Sequence, residues 1–335
     1  MEPVRVLGRS GLTVGAIGLG CWAIGGPFWS AGQPLGWGAV DDDESVRAIR
    51  RALELGVTFF DTADVYGAGH SERVLGRALA DRRDDVVIAT KFGNTFDEQS
   101  REVTGSAAEP GAIRLACEAS LRRLGTDHID LYQFHLSDYD PEAAASVRDT
   151  LEELVAAGSI RAYAWSTDDP ERARVFAAGV HCAAVQHELS VLHDAPAMLA
   201  VCDEFGLASI NRSPLAMGLL TGKFTADSHL PADDIRGQAP EWLAYFRDGR
   251  PTPEWLARLD AIRAILTSEG RSPAAGALAW ILGRSDRTIP VPGFRTVAQV
   301  EQNVGAAALG PLRADQISEI DHLLGRARAG STGVA

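Results

Sequence analysis

Eight short apolar runs, each followed by a stretch with helical spacing, set the strongest limit on how this chain can fold. The runs lie at 16–20, 57–61, 86–91, 129–135, 160–166, 182–186, 208–212 and 288–292. Between them, residues 44–55, 71–81, 112–124, 143–157, 170–178 and 196–205 carry amphipathic helical patterns. Gly56, Gly125, Gly158, Gly179 and Gly206 stand where a left-handed residue ends a helix. Strands that alternate with helices predict a parallel sheet, and eight is the number that closes a barrel. The expectation is α/β: one (β/α)8 TIM barrel domain over residues 1–335, with an N-terminal β-hairpin at 4–14 turning at Gly8 and Gly11. A long loop after strand seven, from 218 to 253, is rich in Asp, Pro and Gly. Helices near 273–282 and 314–324 complete the coat, and the tail from Ala327 is expected to fray.

Composition limits function more than fold. A formal charge of −13 argues against a general nucleic-acid or anionic-membrane surface, but leaves room for a local basic pocket. Cys21, Cys117, Cys182 and Cys202 are widely spaced and form no CxxC or Cys/His ligand pattern. They read as free thiols of a reducing compartment, with no metal site. No apolar run is long enough for a membrane span. Arg5 and Arg9 ahead of the run at 12–26 imitate a secretory signal. That run is glycine-rich and is needed as the first strand, so the expected location is the cytoplasm. Gly18-Leu19-Gly20-Cys21-Trp22-Ala23 matches the dinucleotide fingerprint G-x-G-x-x-A. The fingerprint must open a helix, which Gly25-Gly26-Pro27 forbids, so a Rossmann domain is rejected.

The informative regularity is where polar residues interrupt the strands. The second ends in Asp61, with Tyr66 five residues on in a glycine-containing turn, then a helix with Ser71 as expected N-cap and Glu72 in its first turn. The third ends in Lys91, the fourth in His135, the fifth in Ser166-Thr167, the sixth in Gln186 and the seventh in Asn211-Arg212-Ser213. In a barrel these tips converge on the face where active sites lie. Singly, each has an ordinary explanation: Asp61 capping a turn, Lys91 snorkelling, His135 a satisfied core histidine. Together they make a set. A buried Lys91 needs an anion, which Asp61 can supply. A cation near Tyr66 would lower the phenol's pKa from about 10, each unit being roughly 1.4 kcal/mol, and equip it as a general acid. A neutral His135 would orient a carbonyl oxygen. Such a set protonates the oxygen of a C=O group, and the hydride must come from a cofactor.

Leu7-Gly8-Arg9-Ser10-Gly11-Leu12, Gly20-Cys21-Trp22, Phe60-Asp61-Thr62-Ala63-Asp64-Val65-Tyr66-Gly67, Thr90-Lys91-Phe92-Gly93 and Asp130-Leu131-Tyr132-Gln133-Phe134-His135 together resemble the aldo-keto reductases. So do the run from Ser213 through Lys223 and Pro292-Gly293-Phe294-Arg295 with Gln299 and Asn303. The resemblance covers nearly the whole chain in order. It implies NADPH (NADP+) bound extended and hydride transfer to an aldehyde or ketone. The family's tetrad falls on Asp61, Tyr66, Lys91 and His135, with Tyr66 the proton donor. By the same resemblance Ser166 and Gln186 hydrogen-bond the nicotinamide carboxamide, and Thr167 stands beside them with that contact shortened or lost. Ser213, Leu215, Gly218 and Lys223 line the pyrophosphate, Arg295 and Gln299 meet the 2′-phosphate, and Gln302 and Asn303 lie at the adenosine. Gly20, Trp22, Arg212 and Gly293 complete the expected cofactor contacts. Three positions depart from the family: Thr167 for the usual Asn, Arg212 for a stacking aromatic, and Gln302 for Glu.

The expected partner is a small carbonyl compound, with no nucleic acid or membrane; the substrate and the oligomeric state are open. Trp22, Phe28, Trp29, Trp37 and Tyr139 either wall an apolar substrate pocket or pack the loops. Two other functions fit the same residues: an NADPH-sensing regulatory subunit with little turnover, and a phosphate-binding barrel lyase or isomerase.

Overall fold

A computed structural model describes residues 4–238 and 240–326. Eight parallel strands form one sheet: β1 (Leu19–Gly20), β2 (Phe59–Asp61), β3 (Val87–Phe92), β4 (Ile129–Phe134), β5 (Ile160–Ser166), β6 (Cys182–Glu188), β7 (Ala208–Arg212) and β8 (Thr288–Pro290). Neighbours in sequence are neighbours in the sheet. The last seam closes just beyond β8: Gly18 and Gly20 donate N–H bonds of 3.0 Å to the carbonyls of Pro290 and Pro292. Glycine is required there, since a Cβ on Gly20 would lie 2.8 Å from the Val291 carbonyl oxygen. The sheet is thus a barrel, as the alternation predicts.

Besides a single turn at Ile235–Gln238, the helices are α1 (Asp42–Glu54), α2 (His70–Leu79), α3 (Pro110–Leu124), α4 (Pro141–Ala156), α5 (Pro170–Ala177), α6 (Pro196–Phe205), α7 (Pro253–Leu266), α8 (Pro273–Arg284), α9 (Val297–Ala308) and α10 (Ala314–Leu323). Local chemistry sets their starts. Asp41, Asp140, Asp169, Ser272 and Thr296 each cap a helix by accepting backbone N–H bonds, and six helices, α3 to α8, open on proline, where no N–H is needed. Ser71 is not the cap of α2; Gly69, in the left-handed region, precedes the helix. The Ser71 hydroxyl is turned inward, donating to the Cys21 carbonyl at 2.8 Å and lying 2.9 Å from Thr62 Oγ1.

The hairpin Val4–Val6 with Thr13–Gly15 covers the end of the barrel remote from the strand tips. Its Leu7 and Val14 are buried with Phe59, Leu131, Ala162 and Ile289 in the barrel interior. Two features of the rim were not legible in the sequence. Trp29–Ser30, Gln33–Pro34, Asn94–Asp97 and Glu102–Ser106 form a small four-stranded sheet, and the long loop after β7 holds a short hairpin, Phe246–Arg247 with Arg250–Pro251. Helix α7, which follows that loop, also went unread.

Candidate active site

At the open end of the barrel, Lys91 Nζ donates to Asp61 Oδ2 at 2.7 Å, to the Thr62 carbonyl at 2.8 Å and to the Tyr66 hydroxyl at 3.3 Å. Lys91 is 0% exposed and Asp61 4%, whereas Tyr66 and His135 are only half-buried and face the opening. The His135 ring meets the Tyr66 ring edge-on at 5.9 Å, and Trp22 stacks on Tyr66 at 5.8 Å with 19° between the planes. The strands dictate this convergence: Asp61 ends β2, Lys91 lies near the end of β3, and His135 follows β4. The Tyr66 turn approaches so closely that a Cβ on Gly67 would lie 1.9 Å from the Gly25 carbonyl oxygen.

The electrostatics follow from burial. Desolvation alone would discharge Lys91, but Asp61 and the Tyr66 oxygen outweigh it and its pKa rises. His135 is held well below the usual range by burial and by the charges of Lys91 and Arg212, so the imidazole is neutral. Its Nδ1 has no hydrogen-bond partner among the described residues. Tyr66 corrects the sequence reading. Burial raises its pKa, and the pull of Lys91 offsets only part of that, against a further push from Asp61. The phenol therefore keeps its proton, with a cation ready to receive the negative charge once the proton leaves.

A strained loop and a group of cations follow β7. The loop from Ser213 to Gly218 puts Ser213, Ala216 and Met217 at positive φ of 52°, 47° and 54°, followed by Gly218 at 90°. Non-glycine residues in that region store strain and cluster at ligand sites, where successive N–H groups can face an anion. Lys223 follows; partial burial of its ammonium and the neighbouring Arg236 and Arg295 hold its pKa below the usual range, with Asp234 opposing, although the residue as a whole is exposed. Lys91 and Lys223 are the only lysines in the chain. The Ala216 and Gly218 N–H groups donate to the Ser213 and Leu215 carbonyls, so it is the cations beside this loop that fit the phosphates of an extended dinucleotide.

The remaining expected contacts are placed as follows. Ser166 is buried at the tip of β5, while the Thr167 hydroxyl is spent on the Ser137 carbonyl at 2.7 Å. Gly20 serves the barrel seam, and Trp22 Nε1 donates to the Leu35 carbonyl. Leu215 is buried in the strained loop. Arg295 donates through its guanidinium to the carbonyls of Trp37 and Ala39, and its N–H donates to Gln299 Oε1 at 2.7 Å. Asn303 Nδ2 donates to the Gly293 carbonyl at 3.2 Å, while Gln302 lies outside, toward Ser272. Arg212 is bound by the carboxylates of Asp168 and Glu188, and Glu188 also accepts from the Tyr245 hydroxyl at 2.6 Å.

Sequence reasoning missed four participants: Gln133, Arg236, Asp168 and Glu188. Gln133 sits inside an apolar run, so only its period-2 phase with His135 could have placed it in the barrel interior. Arg236 lies in the long loop after β7, where no pattern marks it.

The aldo/keto reductase family model matches residues 16–324. This chain belongs to the aldo/keto reductase family. Among relatives, the aldo-keto reductase yakc [NADP(+)] of Schizosaccharomyces pombe is 31% identical over 314 residues, covering 91% of this chain and 86% of its own. The glycerol dehydrogenase of Gluconobacter oxydans superposes with a TM-score of 0.81 at 30% identity, covering 99% of this chain and 98% of that one. An aldo-keto reductase of Klebsiella pneumoniae, solved in complex with NADPH, gives a TM-score of 0.68 at 26% identity with the same coverage. Within an aldo/keto reductase barrel, the polar tips described above occupy the face used for chemistry.

Proposed function

We propose that this aldo/keto reductase reduces an aldehyde or ketone with NADPH, with Tyr66 as proton donor. The observation that carries the reading is Lys91 Nζ, bound to Asp61 Oδ2 at 2.7 Å and to the Tyr66 hydroxyl at 3.3 Å. Relatives named for NADP(+) or solved with NADPH support the choice of cofactor. The strained loop at 213–218 with Lys223 would hold its pyrophosphate, Ser166 and Gln186 its carboxamide, and Arg295, Gln299 and Asn303 its adenosine end. When bound, the cofactor supplies the hydride that the carbonyl carbon accepts.

The chain's own residues manage the oxygen. Neutral His135 donates a hydrogen bond that orients the carbonyl oxygen and supports charge developing there. The Tyr66 O–H bond breaks as a proton passes to that oxygen, and Lys91 stabilises the phenolate left behind. Asp61 keeps Lys91 charged. Trp22, stacked on Tyr66, limits access of water.

The test follows absorbance of the reduced nicotinamide with a panel of aldehydes and ketones, using wild type and Tyr66→Phe. Wild type is expected to turn over at least one carbonyl class. Tyr66→Phe should bind NADPH as wild type does, measured by tryptophan quenching, yet lose about 10²–10⁴-fold in rate. An undiminished rate removes Tyr66 as the acid. Tight NADPH binding with no turnover on any carbonyl would replace an enzyme with a cofactor sensor.

A further inference from the structure

Gln133 is 0% exposed and lies two residues before His135 on β4, in register with Lys91 on β3. Both side chains therefore point into a barrel interior otherwise filled by Phe59, Ala89, Leu131, Ala164 and Ile210. An amide there is unfavourable unless it is hydrogen-bonded. Gln133 Nε2 donates to Asp61 Oδ1 at 2.8 Å, and its Oε1 accepts from Gln186 Nε2 at 3.2 Å. Gln186 Nε2 also reaches Asp61 Oδ1, at 2.8 Å. The Asp61 carboxylate thus receives two amides on one oxygen and the Lys91 ammonium on the other, and the network spans the barrel from β2 to β6.

We infer that Gln133 is a positioning residue for proton donation, acting through Asp61 on Lys91; the inference rests on Tyr66 being the donor. A carboxylate only accepts hydrogen bonds, and each donor it gains favours its charged form. In a dry interior a lysine–aspartate pair has a competing neutral state, in which the ammonium proton moves to the carboxylate. Two amide donors on Oδ1 work against that state. They also leave Oδ2 aimed at Lys91. The cation beside Tyr66 is thereby maintained, and with it the charge that receives the phenolate.

The chain has two lysines, so lysine labelled with ¹⁵N at Nζ gives two side-chain signals, and that of Lys91 is assigned by its loss in Lys91→Met. In the cofactor-free protein, Gln133→Met (similar volume, no donor) is expected to discharge Lys91 at a pH lower by about one unit, a tenfold change. Lys223 should not move. The rate constant kcat should fall about tenfold, with KM for NADPH within about twofold of wild type. A repacking effect alone would not single out one of two lysines. Lys91 signals that superimpose with wild type from pH 7 to 11, with kcat unchanged, overturn the proposal. Should Gln133→Met fail to fold, Gln133→Glu decides: its protonated form can donate to Asp61, so its rate relative to wild type should climb as pH falls, and a flat ratio overturns the proposal. Failure of the underlying reading is separate, since it appears as an active Tyr66→Phe whatever Lys91 does.

Discussion

Lys91 is the residue on which most of the candidate site converges. Its ammonium is bound by Asp61, Thr62 and Tyr66, and its side chain is wholly buried. Removing one partner of a buried ion pair costs about 3–5 kcal/mol, because the other charge stays behind. In Lys91→Met the Asp61 carboxylate keeps its two amide donors, so we expect the lower end, about 3 kcal/mol, read from urea unfolding; a stability within experimental error of wild type would contradict this. At this scale the sequence was legible where a polar residue ended an apolar run, as at Asp61 and Lys91. It was not legible for Gln133, whose neighbours Tyr132 and Phe134 hide it among core residues. Nor was the direction of the Tyr66 shift, since burial, which outweighs the lysine, depends on Trp22 and the loops around it.

Between elements, the precise placement of Tyr66 depends on two glycines. Gly67 has φ of 62°, and a side chain there would strike the Gly25 carbonyl. Gly67→Ala is expected to push the Tyr66 turn away from Lys91, lowering stability by about 1–3 kcal/mol and carbonyl reduction by more than tenfold. Unfolding curves and steady-state rates check this, and wild-type values in both would show the turn to be compliant. The barrel strands and most helices could be read because their periodicity is local. The four-stranded rim sheet could not, since its strands are two to five residues long and come from loops after β1 and β3 that pair only once the barrel exists. Helix α7 escaped for another reason: it interrupts the βα alternation by following a long loop, where no strand announces it.

Across the whole molecule, buried histidines set an acid limit. His187 is fully buried, its Nδ1 facing the Glu188 carbonyl at 3.0 Å and its Nε2 the Ser209 hydroxyl at 2.7 Å. A carbonyl only accepts, so Nδ1 carries the hydrogen and the Ser209 hydroxyl, which accepts from Asn211, donates to Nε2 of the neutral ring. Burial lowers the His187 pKa to about 4. The unfolded chain takes up this proton near pH 6.5 and the native one does not, so its stability is complete above about 6.5 and is lost as pH falls toward 4. Between pH 7.5 and 5 the site should cost about 2 kcal/mol. His135 acts in the same direction; Asp64, whose carboxyl burial pushes up, acts in the opposite one. His187→Gln should flatten the acid limb of urea midpoints relative to wild type, and an unchanged slope would refute the assignment. The dearth of lysine bears on chemical modification. Lys91 is sealed, so Lys223 is the only exposed side-chain amine on a surface whose other fixed positive charges are arginines. Its lowered pKa leaves more of it as free amine, and a lysine-selective acylating reagent should therefore mark one side chain, with bound dinucleotide shielding it. Peptide mapping with and without NADPH would make that single adduct a gauge of cofactor occupancy.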